Sequence, residues 1–538
     1  MTAPELDWAP PQRSLASPIP PSILAVGALT VVGFALRLSV AHQSLFGDEL
    51  STSWISATHG LGGVLSLLYG TASVKHAEIT PPLYFLASWL TSQIGHAPEL
   101  LRLPSLVAGT LSIPVVYLLG LRTVGRRAAL VATAVTTLSP FMIYYSSEAR
   151  SYGMMMLLVL GSTLAMLQAI DTRGRRWWVL YAVCSCAAFY THYTCVFVLG
   201  AQLLWLWWAH PEARRPALLA NLGAAAGVLP WLPGLINELG SPTVSILSAL
   251  SPFTGHDVRL ALEHWSVGYP YASSAPLTGL PGTPALILLG LGIVIAAGGA
   301  LMSADRSRPT RWPLGAERRI VLVLALAIVT PLAEALISAI STHIFGVRNL
   351  AASWPALALG LAALLIAAGR RLRPVVVALA VVSFAIGAVK MLEHRYERPN
   401  YQAVADFIAG QARPGDVVID ETGQLSPGPV TPLDVALRAP VSVFRAGSPA
   451  ERDHPFGFFD PIVPISQAIA RAVAAAPGGR IFVASTVFAP SDIPGLARLV
   501  APIHGHFPAP YRLVESHVYA GIARTKIEVY SRGASSPG

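Results

Sequence analysis

The sequence predicts a polytopic α-helical membrane protein followed by a small α/β domain. Three observations carry this. The 538 residues are 53% hydrophobic and only 12% charged, with a mean hydropathy of +0.56, whereas charged residues make up about a quarter of a soluble domain. Apolar runs of spanning length recur between residues 21 and 391. At Glu393 the composition changes: charges and prolines return and the apolar runs shorten.

Residues 1–20 are Pro-rich and lack the basic start and short apolar core of a signal peptide, so they read as a disordered cytoplasmic tail. The first span is 21–41, apolar apart from Ser22, Thr30, Arg37 and Ser39. The others are 101–121, 128–146, 152–170, 177–192, 194–210, 217–236, 284–303, 320–341, 350–369 and 374–391, about eleven helices of the length a bilayer needs. The only lysines are Lys75, Lys390 and Lys526, so the net charge of +9 is an arginine charge. Those arginines cluster between apolar runs, at 122–127, 173–176, 214–215, 306–319 and 370–373. That is the positive-inside pattern, not a nucleic-acid footprint. Placing every cluster inside forces the spans into pairs, with the N-terminus inside and the C-terminal region outside. Residues 81–94 are too short to span, and counting them would invert every later cluster. They read as a surface helix, 82–94, which shares the outer loop 43–99 with a second one, 61–69. The three cysteines lie in or at the edges of spans, which argues against a disulfide framework. Beyond 393, a helix over 400–411 and strands at 416–420, 480–484 and 527–530 point to an α/β domain, 393–538, outside the membrane. No GxGxxG, Walker A or HExxH motif and no internal repeat is present.

With sidedness set, the unusual polar residues collect on the outer face. Asp48 and Glu49 follow the first span, and Tyr84 opens the second surface helix in TPPLY. Glu148, Arg150 and Tyr152 stand in SSEARSY, His192 in YTHYT, and Arg348 with Asn349 in FGVRN. Carboxylates at a membrane boundary are costly, so such residues are functional candidates by default. A carboxylate takes a proton from a hydroxyl, and arginines grip phosphate through charge-assisted hydrogen bonds. The set suits an anionic, lipid-linked substrate. Plainer readings stand beside it. Arg102 and Arg348 fit snorkelling residues, Glu148 and Arg150 fit a simple pair, His192 fits a helix-end histidine, and Tyr84 fits an aromatic belt. No spacing is diagnostic for a metal, although Glu78 and His76 are the residue types that bind one.

In order, the chain shows an acidic pair after the first span, TPPLYFL, LRLPSLVAGTLSIPVVYLLG, SPFMIYYSSEARSYGMMMLL, YTHYT, and VRN before a span with a proline. This order resembles the GT-C glycosyltransferase superfamily, in particular glycosyltransferase family 39 and the Rgt-type transferases, with protein O-mannosyltransferases and lipid A aminoarabinose transferase as more distant relatives. The resemblance is dense over residues 22–210 and thinner over 320–391. The opening RPNYQAVADFIAGQARPGDVVID is similar to domains that follow the last span in such proteins. One departure is the Phe46-Gly47 approach to the acidic pair, where relatives are richer in aromatic residues.

The resemblance implies a GT-C fold with juxtamembrane helices on the outer face and a polyprenyl-phosphate sugar as donor. It implies transfer, usually with inversion, to a glycan, lipid or protein acceptor outside the cytoplasmic membrane of a bacterium. Asp48 is then the general base, with Glu49 beside it. Arg150, Arg348, Tyr84, Glu148, Tyr152 and His192 are the donor-phosphate and substrate-binding candidates. No cofactor is required and a divalent metal is left open. Membrane lipids are partners and nucleic acid is not. The competing class is a transporter or flippase of polyprenyl-linked lipid, disfavoured because the polar residues sit at one face rather than at the midplane. The sugar and the acceptor are not legible.

Overall fold

Pro21 opens the first helix at a position where a missing N–H costs nothing. That helix, α1 (Pro21–Ala41), leads into three short helices, α2 (Glu49–Ala57), α3 (Leu61–Leu68) and α4 (Leu83–Ser92). The helical body continues with α5 (Pro98–Thr123), α6 (Arg126–Leu138), α7 (Pro140–Tyr145), α8 (Tyr152–Thr172), α9 (Arg175–Phe189), α10 (Cys195–Ala209), α11 (Arg214–Val228) and α12 (Leu232–Leu239). After α13 (Gly255–Val267) come α14 (Thr283–Ala304), α15 (Ala316–Ile340), α16 (Trp354–Ala367) and α17 (Arg373–Lys390). The computed structural model describes residues 20–72, 78, 80–239, 253–268, 282–304, 316–423, 429–447, 463–487 and 506–532. The expected tail, 1–20, lies outside these except for Pro20, and His76 lies outside them too.

Among the described residues, eight helices are long and apolar enough to cross a membrane. The chain is a multi-pass membrane protein. Faces such as Val31 and Phe34 of α1, Leu301 of α14 and Leu336 of α15 are exposed and apolar, as hydrocarbon contact requires. Two predicted spans are broken. Residues 128–146 divide at Ser139-Pro140, because Pro140 has no N–H to continue α6, and the Ser139 hydroxyl accepts from the Met142 amide to start α7. Residues 217–236 divide at a 3-10 turn, Leu229–Trp231, that contains Pro230. The first break leaves α6 carbonyls open inside the body. Arg37 of α1, fully buried, donates to the Thr136 carbonyl at 3.2 Å. A cation at a helix C-terminus is favourable on dipole grounds, which explains an arginine in the middle of the first span.

The loop after α1 holds three surface helices where two are predicted. The additional one, α2, begins at Glu49. Its ELSTSWISA sequence has little apolar periodicity, because four of the seven residues it buries, Ser51, Thr52, Ser53 and Ser56, are small and hydroxylated. Thr52 donates to the Ala149 carbonyl at 2.8 Å and Ser56 to the Phe85 carbonyl at 3.1 Å.

Beyond α17, a six-stranded sheet runs in the order β3-β2-β1-β4-β6-β5. Its strands are β1 (Val417–Glu421), β2 (Ser442–Gly447), β3 (Val463–Pro464), β4 (Ile481–Val487), β5 (Tyr511–Tyr519) and β6 (Arg524–Arg532). The first four are parallel, with Ile419 opposite Phe444 on one side and Val483 on the other; β6 and β5 are antiparallel additions. The all-buried pattern of β1 is what a central parallel strand requires. Around the sheet pack α18 (Tyr401–Gln411), α19 (Pro432–Ala436) and α20 (Ile465–Ala475). The domain is docked against the helical body. Val430 and Val435 pack on Leu45, Leu50, Tyr84, Leu101 and Ala149, and the Gln402 amide donates to Ser44 Oγ at 3.0 Å.

Candidate active site

The acidic pair divides into two different environments. Asp48 ends the turn before α2, while Glu49 is its first residue. One residue of helix turns a side chain through about 100°, so the two carboxylates face different ways. Glu49 points inward and is fully buried. Arg102 of α5 grips it with two bonds, Nε to Oε1 at 2.7 Å and Nη2 to Oε2 at 2.6 Å. The amides of Ala149 and Phe46 donate to Oε1 and Oε2 at 2.7 and 3.2 Å. Nε of Arg398, from the segment between α17 and α18, lies 3.3 Å from Oε2. Burial works against this carboxylate, but the charges of Arg102 and Arg398 prevail and hold its pKa below the ordinary range. Both carboxyl oxygens of Glu49 are engaged, so its geometry is that of an anchor.

The same two arginines tie four segments together. Arg102 is buried rather than snorkelling, and its Nη1 donates to the Ala41 carbonyl at the end of α1 at 2.8 Å. Arg398, equally buried, donates to the Ser147 carbonyl at 3.1 Å and lies 4.3 Å from the Tyr144 ring centre. The 146–151 segment can lie this close to α5 because Gly109 has no side chain; an added Cβ would run into Ser146.

Asp48 is about 30% exposed and pairs with Nη1 of Arg348, which lies just before the 3-10 turn Asn349–Ser353. Burial raises its pKa, but the charges of Arg348 and Arg150 outweigh that and set it below the usual carboxylate value. Asp48 is therefore ionised at neutral pH. Arg150 is spoken for elsewhere: its two Nη groups hold the Glu78 carboxylate at 2.7 and 3.0 Å, and Nη2 also donates to Thr80 Oγ1 at 2.7 Å. The plain pairing of Glu148 with Arg150 is thus replaced by a pairing with Glu78, a residue considered in the sequence only as a metal ligand. Among the described residues no group of three or more His, Cys, Asp or Glu is arranged to hold a metal ion.

Glu148 is nearly buried, and its Oε2 has no hydrogen-bond partner. Burial and the Glu49 charge push its pKa up to about 8, so it is neutral at pH 7. Neutral Glu148 adds no negative charge to the site; ionised Glu148 adds one. A raised carboxyl contributes its stability fully below the ordinary glutamate range and loses it as pH climbs through about 8, so Glu148→Gln flattens the fall of the melting temperature over that range.

His192 lies across from Tyr152, ring centres 5.2 Å apart. Its Nδ1 lies 3.0 Å from Thr194 Oγ1 and 3.4 Å from the Thr194 amide nitrogen. Burial and the charges of Arg150 and Arg348 lower its pKa to about 3. At neutral pH it is an uncharged N–H donor. Tyr84 does not join the site. It is buried, and its hydroxyl donates to the Leu101 carbonyl at 2.9 Å, a structural contact. The structure thus brings together Asp48, Arg348, Arg150, Tyr152, His192 and Glu148, and sets Glu49 and Tyr84 behind them. Sequence reasoning missed Arg398 as a site residue, although its RPNY context follows the last span, and passed over Glu78 and Thr80 as the partners of Arg150.

A many-helix membrane body with this acid–arginine face and an α/β domain docked on its first loop is the architecture of the GT-C fold. A family model described as dolichyl-phosphate-mannose-protein mannosyltransferase matches residues 79–235. The fold is similar to that of ArnT from Cupriavidus metallidurans solved with undecaprenyl phosphate, at 16% identity over 96% of this chain and 98% of that one, with a TM-score of 0.52. ArnT in the apo state matches at 15% identity, 94% and 97% coverage and a TM-score of 0.50. The oligosaccharyltransferase AglB from Archaeoglobus fulgidus matches at 13% identity, 88% and 72% coverage and a TM-score of 0.46. No curated protein matches the chain in sequence. The family model covers less than a third of the chain, and the likeness to ArnT over nearly its whole length is a likeness of fold.

Proposed function

We propose that the protein transfers a sugar from a polyprenyl-monophosphate donor to a hydroxyl acceptor outside the cytoplasmic membrane, with inversion, and that Asp48 is the general base. The observation that carries this reading is the Asp48–Arg348 pair: an ionised, partly exposed carboxylate in contact with an arginine that no other carboxylate holds among the described residues. Arg348 is the phosphate-binding group, with neutral His192 as a second polar group beside it. Arg150, fixed by Glu78, adds positive potential. When the donor phosphodiester takes Arg348, Asp48 loses its partner and becomes a stronger base. It then accepts the acceptor O–H proton while that oxygen attacks the anomeric carbon. The bond from that carbon to the phosphate oxygen breaks, and polyprenyl phosphate leaves with the electron pair, its charge met by the arginines. ArnT, solved with undecaprenyl phosphate on a similar fold, supports a ligand of this kind here. The polar face and the docked domain lie outside the membrane in this reading, on the side opposite the arginine clusters.

Arg348→Ala weakens undecaprenyl phosphate binding about 10- to 100-fold, as expected for losing a charge-assisted contact; unchanged affinity removes Arg348 from the phosphate site. In cells, deletion of the gene removes one class of glycosylated envelope product from the mass spectrum of glycolipids and glycans. Wild-type protein restores it and Asp48→Asn does not. An unchanged profile after deletion contradicts the proposed activity.

A further inference from the structure

Helix α15 carries a polar face in an otherwise apolar span. Thr330, Glu334 and Ser338 follow at four-residue spacing, so they share one side of the helix, and all three are buried. The outer two are engaged. Ser353 Oγ donates to Thr330 Oγ1 at 2.6 Å. The amides of Ile344 and Phe345 donate to Ser338 Oγ at 3.0 and 2.9 Å. Between them stands Glu334, fully buried, with neither carboxyl oxygen in a hydrogen bond of ordinary geometry. The Gly346 backbone is turned toward it. Every group on this face belongs to, or looks at, residues 344–353, the segment that carries Arg348. Asn349 Nδ2 closes the same segment on the Ile344 carbonyl at 2.6 Å. An acid inside a span is costly and functional by default, and this one has no place in the transfer chemistry above.

We propose that Glu334 is a positioning residue for Arg348: it is the middle rung of a Thr330–Glu334–Ser338 ladder, buried against the 344–353 segment that its two outer rungs hold. The ladder sets where Arg348 meets Asp48 and the donor phosphate. That last step rests on the phosphate role of Arg348 proposed above; the ladder itself does not.

The test uses the full chain in detergent micelles, with Glu334→Ala, Glu334→Gln and Ser338→Ala, each alone and combined with Arg348→Ala. Amide exchange over residues 344–349 and affinity for undecaprenyl phosphate are read separately. Glu334→Ala speeds exchange in that segment and leaves the α/β domain unchanged. It weakens undecaprenyl phosphate about tenfold, and adds nothing once Arg348 is alanine, as coupled residues should. Glu334→Gln keeps a hydrogen-bonding group and restores both readings. If Glu334→Ala does not fold, Ser338→Ala, which removes the next rung, gives the same two signatures. Unchanged exchange over 344–349, or an equal loss of affinity with and without Arg348, overturns the proposal. Should the wild-type protein not bind undecaprenyl phosphate, the donor reading fails, and the exchange measurement alone decides the ladder.

Discussion

Asp48→Asn lowers turnover by about 10²- to 10⁴-fold, the contribution of a positioned general base, while undecaprenyl phosphate still binds. The asparagine is nearly isosteric and lies at a partly exposed position, so thermal stability stays close to that of the wild-type protein. Its ion pair with Arg348 is exposed enough that losing it costs little stability. Binding of the anion is expected to hold or improve, because the carboxylate no longer competes with phosphate for Arg348. The check is a pair of measurements on one preparation: rate of sugar transfer and affinity for undecaprenyl phosphate. Wild-type turnover in this variant removes Asp48 from the role of base.

Glu49→Gln has the opposite profile. Its carboxylate is buried between Arg102 and Arg398, and removing the charge leaves two buried guanidinium groups facing a neutral amide. Breaking a buried ion pair costs about 3–5 kcal/mol, a large share of a stability that is typically about 5–15 kcal/mol. The expected result is a markedly lower unfolding temperature in detergent and loss of activity together. Arg398→Ala, altered from the far end of the chain, behaves the same way, since it breaks the same cluster. An Asp48→Asn protein that is stable and inactive, beside a Glu49→Gln protein that is unstable, separates the base from the anchor. A stable, inactive Glu49→Gln protein would instead return Glu49 to the chemistry.

Much of this molecule was legible before its structure. Apolar length is a strong signal: each of the eleven predicted spans has a helix or a broken helix in place, and among the described residues eight of them are long and apolar enough to cross a membrane, the shorter ones being 128–146, 177–192 and 194–210. The short surface helices 61–69 and 82–94 also correspond to helices, at Leu61–Leu68 and Leu83–Ser92. What was not legible came from two sources. Polar burial hides periodicity: α2 buries Ser51, Thr52, Ser53 and Ser56, so an apolar pattern search passes over it. The strand β5 was missed for a related reason, as an edge strand with exposed Leu513, Val514 and Val518 gives no inward apolar alternation. At the site, the sequence brings candidates to one face but does not pair them. Arg150 is two residues from Glu148 and yet holds Glu78. Arg398 is some 350 residues from Glu49 in the chain and touches it. Adjacent acids are the hardest case, since nothing in the string Asp48-Glu49 says that the helix beginning there turns one outward and the other into a cage of arginines.

Sugar transfer is measured by incubating purified protein in liposomes with a labelled polyprenyl-phosphate sugar and an envelope extract as acceptor. Polyprenyl phosphate is released and the label appears on the acceptor fraction, with both products absent for Asp48→Asn. Movement of intact labelled lipid across the bilayer, without release of polyprenyl phosphate, would contradict this reaction.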